Sequence, residues 1–170
     1  MQLNELIIIY IKKLKKAGIK FPLNEIRFIV EDQLNFSLLD QITNKKLLLN
    51  LTEEKKLISA FNRRINREPI ERILNKKAFR NLELSLKEYT FIPRKETELL
   101  VDIILNLKIN PKNILELGTG SGAISISLMK ELKKSNAIAT DINMQSLNMA
   151  KKMLLSIKLL SKLVLFAAIG

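Results

Sequence analysis

Seven residues in the last third of this 170-residue chain have types and spacing that could hold a ligand: Glu116, Gly118, Thr119, Gly120, Ser121, Gly122 and Asp141. Closely alternating glycines let a turn approach a ligand that a Cβ would block, or adopt backbone angles that a side chain forbids. Where such a turn leads from a strand into a helix, the helix offers free N–H groups and the positive end of its dipole. Asp141, at the end of the following strand, is placed to accept hydrogen bonds from ribose hydroxyls. The chemistry is that of a nucleotide-like ligand held mainly by backbone.

These features alone leave the ligand open. Gly118-x-Gly120-x-x-Ala123 also satisfies the dinucleotide fingerprint in its terminal-Ala form. Two details favour S-adenosyl-L-methionine (AdoMet): the tight glycine alternation, and Glu116 two residues before the first glycine. A carboxylate there suits the cationic methionine end of AdoMet and would repel a pyrophosphate. A plain strand–helix turn with no ligand accounts less well for strand, turn, helix and terminal Asp occurring together.

The chain has no Cys and no His. Thiolate nucleophiles, imidazole bases, disulfides and the usual zinc ligands are therefore excluded, and no catalytic or metal-binding residue is assigned. The formal net charge is +12, from 29 Lys and Arg against 17 Asp and Glu. Scattered lysines without aromatic interleaving read as a solvated surface rather than a nucleic-acid site. The amino terminus lacks a basic n-region, and the apolar run from Leu159 is interrupted by Lys162 and too short to span a bilayer. The expectation is a cytoplasmic protein with no membrane contact.

The elements that must position the site fall into two patterns. From Leu3 to about Arg67 apolar residues recur at helical spacing, with Ala17-Gly18 as a stop, Pro22 as a start, a short helix within 38–51, and a helix opening near Thr52 with Glu54. Their apolar faces need one another, which predicts a small bundle over 1–68. Residues 69–93 read as a linker holding a β-hairpin, with alternation from Phe79 to Phe91 and a turn at Asn81. Over 94–170 the order is helix, buried strand (113–117), glycine turn, helix, strand (137–140), helix, strand (163–168). That order implies a parallel sheet wound in one direction. The expected fold class is α/β: a helical bundle plus a partial Rossmann-like AdoMet-binding domain with its first three strands only.

Three blocks give the chain a family resemblance. Arg67-Glu68-Pro69-Ile70 with Ile73-Leu74 and Phe79 resembles the segment joining the two domains of HemK-type (PrmC) release-factor glutamine N5-methyltransferases. Phe91-Ile92-Pro93-Arg94-Lys95-Glu96-Thr97-Glu98 is similar to that family's Pro-Arg-Pro-Glu-Thr-Glu signature, and Glu116 to Ser125 to its AdoMet motif. The resemblance implies AdoMet as cofactor and a peptide-chain release factor as partner. The reaction it implies is methylation of the glutamine in the Gly-Gly-Gln loop, in the service of translation termination. It also implies that Phe91, Arg94, Glu96 and Thr97 lie around the substrate cleft.

The departures are as informative. Lys95 stands for a usual Pro, Met153 for a common Asn, and Ala168 and Ile169 fill a position where an acidic residue is expected. The family's Asn-Pro-Pro-Tyr loop, which holds the glutamine amide, does not occur in these residues. The expectation is a truncated, catalytically incomplete form whose first sheet strand is an open edge, prone to aggregation or to pairing with another chain. Two other readings stay open: a related RNA- or DNA-amino methyltransferase, favoured by the positive charge, and a non-enzymatic module that docks a release factor.

Overall fold

Among the described residues, the helical spacing that begins at Leu3 produces five helices in the first of two units, Met1–Leu74; the second begins at Asn75. The structure is a computed structural model and describes residues 1–44, 46–159 and 161–168. In the first unit the helices are α1 (Leu3–Lys16), α2 (Pro22–Leu34), α3 (Leu38–Thr43), α4 (Leu51–Ile65) and α5 (Ile70–Leu74). Helix α1 stops at Ala17, and Gly18 follows with φ +75°. Pro22 opens α2, where its missing N–H costs no intrahelical bond.

Helix α4 starts earlier than Thr52 and Glu54 suggest. Its cap is Asn50, whose Oδ1 accepts from the Glu53 N–H at 2.9 Å while the Asn50 N–H donates to Glu53 Oε2 at 3.0 Å. A polar cap with an acid three residues on satisfies two end groups at once, so this pair sets the boundary. Ser37 and Asp40 do the same for α3, at 3.2 and 3.0 Å. Leu6, Leu14, Ile26, Ile29, Leu57 and Phe61 fill the core without exposure. The Tyr10 ring lies 4.9 Å from that of Phe61, and its hydroxyl donates to Asn62 Oδ1 at 3.2 Å. Ile73 of α5 enters this same core, so 70–74 packs with the bundle although the sequence reading gives it to a linker.

In the second unit β1 (Lys76–Phe79) and β2 (Leu82–Ser85) form an antiparallel hairpin turning through Arg80 and Asn81. The strands are displaced from the expected 79–91 pairing, and residues 86–95 contain no strand. Phe79, Leu82 and Leu84 join the core of this unit instead of bridging a linker. Then follow α6 (Glu96–Asn106), β3 (Asn113–Leu117), α7 (Ala123–Glu131), β4 (Asn136–Asp141), α8 (Met144–Ser156) and β5 (Leu163–Ala167).

The three strands are parallel in the order β3-β4-β5, with Glu116 beside Ala139 and Ala139 beside Leu165. The two faces of this sheet differ. On one, Ala137, Ala139 and Leu163 pack against Ile126 and Met129 of α7 and Leu154 of α8. On the other, Leu115 and Leu117 are 64% and 75% exposed, alongside exposed Ile138, Val164 and Phe166. The expectation of a buried first strand is therefore half wrong, because both crossover helices cover the same face. Strand β3 pairs only with β4 among the described residues. Ile169, expected beyond the third strand, lies outside the described residues.

Candidate functional site

Alternation along β3 puts Glu116 on the covered face of the sheet, an unfavourable place for a carboxylate unless donors meet it. Three do. The Thr119 hydroxyl donates to Glu116 Oε2 at 2.8 Å, the Ser125 N–H donates to the same oxygen at 3.0 Å, and the Ser125 hydroxyl donates to it as well. The other oxygen, Oε1, has no protein partner among the described residues and is not sealed in the interior. Burial holds this carboxyl above the ordinary carboxylate range; the bonds from Ser125 and Thr119 oppose the rise, and the negative charge of Asp141 adds to it.

Between β3 and α7 the chain turns through Gly118, Gly120 and Gly122, all with positive φ (+73°, +56° and +79°). The glycines serve two purposes. A Cβ on Gly118 or Gly120 would project into open space, whereas one on Gly122 would lie 2.7 Å from Ile126 Cδ1 and 3.1 Å from Ala150 Cβ. Gly122 is thus required by packing as well as conformation, and the other two leave room above the turn. Thr119 and Ser121 between them are buried.

The turn is held from the next strand. The Thr119 N–H donates to the Thr140 carbonyl at 2.9 Å, and the Gly120 N–H donates to Asp141 Oδ2 at 2.6 Å. Asp141 Oδ1 accepts from the Asn143 N–H at 2.8 Å. Each oxygen keeps a further lone pair, so the carboxylate can still accept from a ligand. Asn143 caps α8, its Oδ1 accepting from the Gln145 and Ser146 N–H groups at 2.9 and 3.2 Å.

Glu116, Gly118, Thr119, Gly120, Ser121 and Asp141 line one cavity of about 420 Å³. Gly122 stands behind it at the helix start. Of the residues tied to the substrate cleft by resemblance, Phe91 and Thr97 line this cavity. Arg94 and Glu96 do not; both are exposed, with Glu96 in the first turn of α6. Residues that sequence reasoning gave no role also appear here: Tyr89, Pro93, Ile142, Asn143 and Ser146 on the wall, and Ser125 behind Glu116. Asn143 carried a readable signal, a capping residue directly before an apolar helix. Ser125 closes the block that resembles the AdoMet motif, but no residue rule singles it out. Ala123 and Ile124, also on the wall, present first-turn N–H groups that a helix cannot bond internally. The arrangement offers hydrogen-bond acceptors at two corners, donors at a helix end, and an aromatic and aliphatic wall. Among the described residues no cluster of acidic side chains could hold a metal, and no helix is long and apolar enough to cross a membrane.

Comparison with known proteins matches each unit separately. Residues 5–74 match the PrmC N-terminal domain and residues 95–166 the methyltransferase small domain. A release factor glutamine methyltransferase from Agrobacterium fabrum is 35% identical over 147 residues, covering 83% of this chain and 51% of that protein. A bifunctional methyltransferase from Rickettsia prowazekii is 37% identical over 168 residues, covering 82% of this chain and 31% of its own length. The chain thus spans about half the length of the first relative and less of the second. A tRNA (uracil-54, C5)-methyltransferase from Pyrococcus abyssi, solved with S-adenosyl-L-homocysteine, aligns with TM-score 0.46 and 18% identity, covering 55% of this chain and 23% of that one. By its two domains the chain is a relative of the HemK-type (PrmC) release factor glutamine methyltransferases.

Proposed function

We propose that this chain binds AdoMet in the cavity above the glycine turn, as the cofactor-binding portion of a glutamine N5-methyltransferase acting on peptide-chain release factors. One observation carries the cofactor reading: the glycine turn, Glu116 and Asp141 share a single cavity. The residues fit AdoMet in kind. Glu116 Oε1, lacking a protein partner, suits the ammonium of the methionine end, and Asp141 suits the ribose hydroxyls. Gly118 and Gly120, with open space where a Cβ would stand, let the ligand lie against the backbone.

When bound, AdoMet would supply a methyl group activated by its sulfonium charge. The chain's own part is to orient it: Glu116 and Asp141 fix the two ends, and Thr119 and Ser125 fix Glu116. Phe91 and Thr97, which the resemblance ties to the substrate cleft, line the same cavity. A glutamine amide is a weak nucleophile and needs groups that polarise and aim it. The Asn-Pro-Pro-Tyr sequence that does this in the family is not among these 170 residues. We therefore assign no catalytic residue and expect binding without turnover by this chain alone.

Isothermal titration with AdoMet, beside a methylation assay on a release factor, tests the reading. Saturable binding with no methyl transfer is expected. No binding overturns the cofactor assignment, and glutamine methylation by this chain alone overturns the incompleteness. A docking role for the bundle without modification predicts instead that a release factor is retained while AdoMet is not bound.

A further inference from the structure

Glu116 could in principle offer either oxygen to a ligand, since a carboxylate rotates about its last torsion. In this structure it does not have that freedom. Three donors converge on Oε2: the Thr119 hydroxyl from within the glycine turn, and both the N–H and the hydroxyl of Ser125 from the first turn of α7. Ser125 is fully buried, two residues into the helix from Ala123, and lines no part of the cavity. Among the described residues its hydroxyl bonds to Glu116 alone.

We propose that Ser125 is a positioning residue for the ligand, fixing which oxygen of Glu116 meets the cationic end. This rests on the AdoMet reading of the cavity and adds to it a residue that touches no cofactor atom. With Oε2 saturated by donors, Oε1 alone faces the ligand. A proton on the carboxyl, whichever oxygen takes it, removes the negative charge. Protonation therefore weakens the hold on the ammonium. The hydroxyl of Ser125 favours the ionised form, and so extends cation binding to lower pH. The titratable groups around Glu116 are few: Asp141 at the end of β4, whose charge opposes its ionisation, and the Tyr89 phenol on the same cavity wall.

The test compares wild type, Ser125→Ala and Ser125→Cys, measuring affinity for AdoMet and for 5′-methylthioadenosine, which has the nucleoside but no amino-acid cation. Alanine is the best helix former and fits within the space of serine, so the helix is retained, as circular dichroism would check. Ser125→Ala is expected to lower AdoMet affinity about tenfold, the typical effect of losing one hydrogen bond to a charged group. It should leave methylthioadenosine affinity unchanged and move the acid limb of the AdoMet pH profile upward. Ser125→Cys, a weaker donor, should fall between the two. Equal losses for both ligands, or an unmoved acid limb, would show a merely structural serine and overturn the proposal. Failure of wild type to bind either ligand would instead overturn the AdoMet reading, and this inference with it.

Discussion

Helices α3 and α4 of the bundle and α7 of the second unit close their N-terminal ends in opposite ways. In the bundle, α3 and α4 are sealed locally: Ser37 with Asp40, and Asn50 with Glu53, exchange reciprocal bonds within four residues. In the second unit, α7 begins at Gly122, which has no side chain to offer. Its third N–H is met by Glu116 from a different element, nine residues earlier. The residues at the first two positions, Ala123 and Ile124, line the cavity. A helix end sealed by its own neighbours contributes stability and can do little else. One whose cap comes from a strand, and is only part complete, has donors to give to a ligand.

The strongest way to break this contrast is to give α7 a local cap. Asn is among the best N-cap residues and tolerates left-handed angles, so at an unhindered helix start Gly→Asn would be neutral or helpful. At Gly122 its Cβ would meet Ile126 and Ala150. Gly122→Asn should therefore cost about 2 kcal/mol, as overpacking does, and abolish AdoMet binding. Urea denaturation and calorimetric titration would measure both. A variant as stable as wild type would remove the packing argument.

A smaller effect is expected of Glu116→Gln, which preserves shape and an acceptor oxygen. AdoMet affinity should fall about tenfold with the charge, while stability moves the other way at neutral pH. The sign follows from the raised carboxyl, set first by burial. The folded protein holds this proton more tightly than the unfolded chain does. Ionisation therefore costs stability, from nothing well below the unfolded value to its full extent above the folded one. Glu116→Gln should accordingly be more stable than wild type at pH 8, with the difference closing toward acid in thermal melts. A variant less stable than wild type at pH 8 would contradict this.

The smallest effect belongs to the bundle. Asn50→Ala should cost about 1 kcal/mol and leave AdoMet affinity unchanged, since its bonds are local and exposed. A loss of affinity in parallel titrations would mean that sealed ends also serve the ligand.

Much of this was legible before any coordinates. The spacing of Leu3, Leu6 and Tyr10 locates α1, Pro22 opens α2, and the glycine turn with Asp141 locates the cavity. Local rules suffice there, because helix periodicity and glycine conformations are written in consecutive residues. Asn50 was readable but overshadowed by Thr52, a comparable capping type two residues on. The bond from Ser125 to Glu116 was not readable, because it is fixed by how α7 lies against β3. Nor were the exposed Leu115 and Leu117, since an apolar run looks alike whether one face of a sheet is covered or two. Arg94 and Glu96 lie off the cavity wall for a similar reason: a matching string gives neighbourhood, and only the backbone path gives direction.

The bond from the Gly120 N–H to Asp141 spans twenty-one residues, and this has a kinetic meaning. The turn can take its final shape only after β4 has joined β3, so the ligand site is among the later features to form. A ligand that recognises the finished turn has little to grip in the folding transition state. AdoMet should then slow unfolding while leaving the rate of folding nearly untouched.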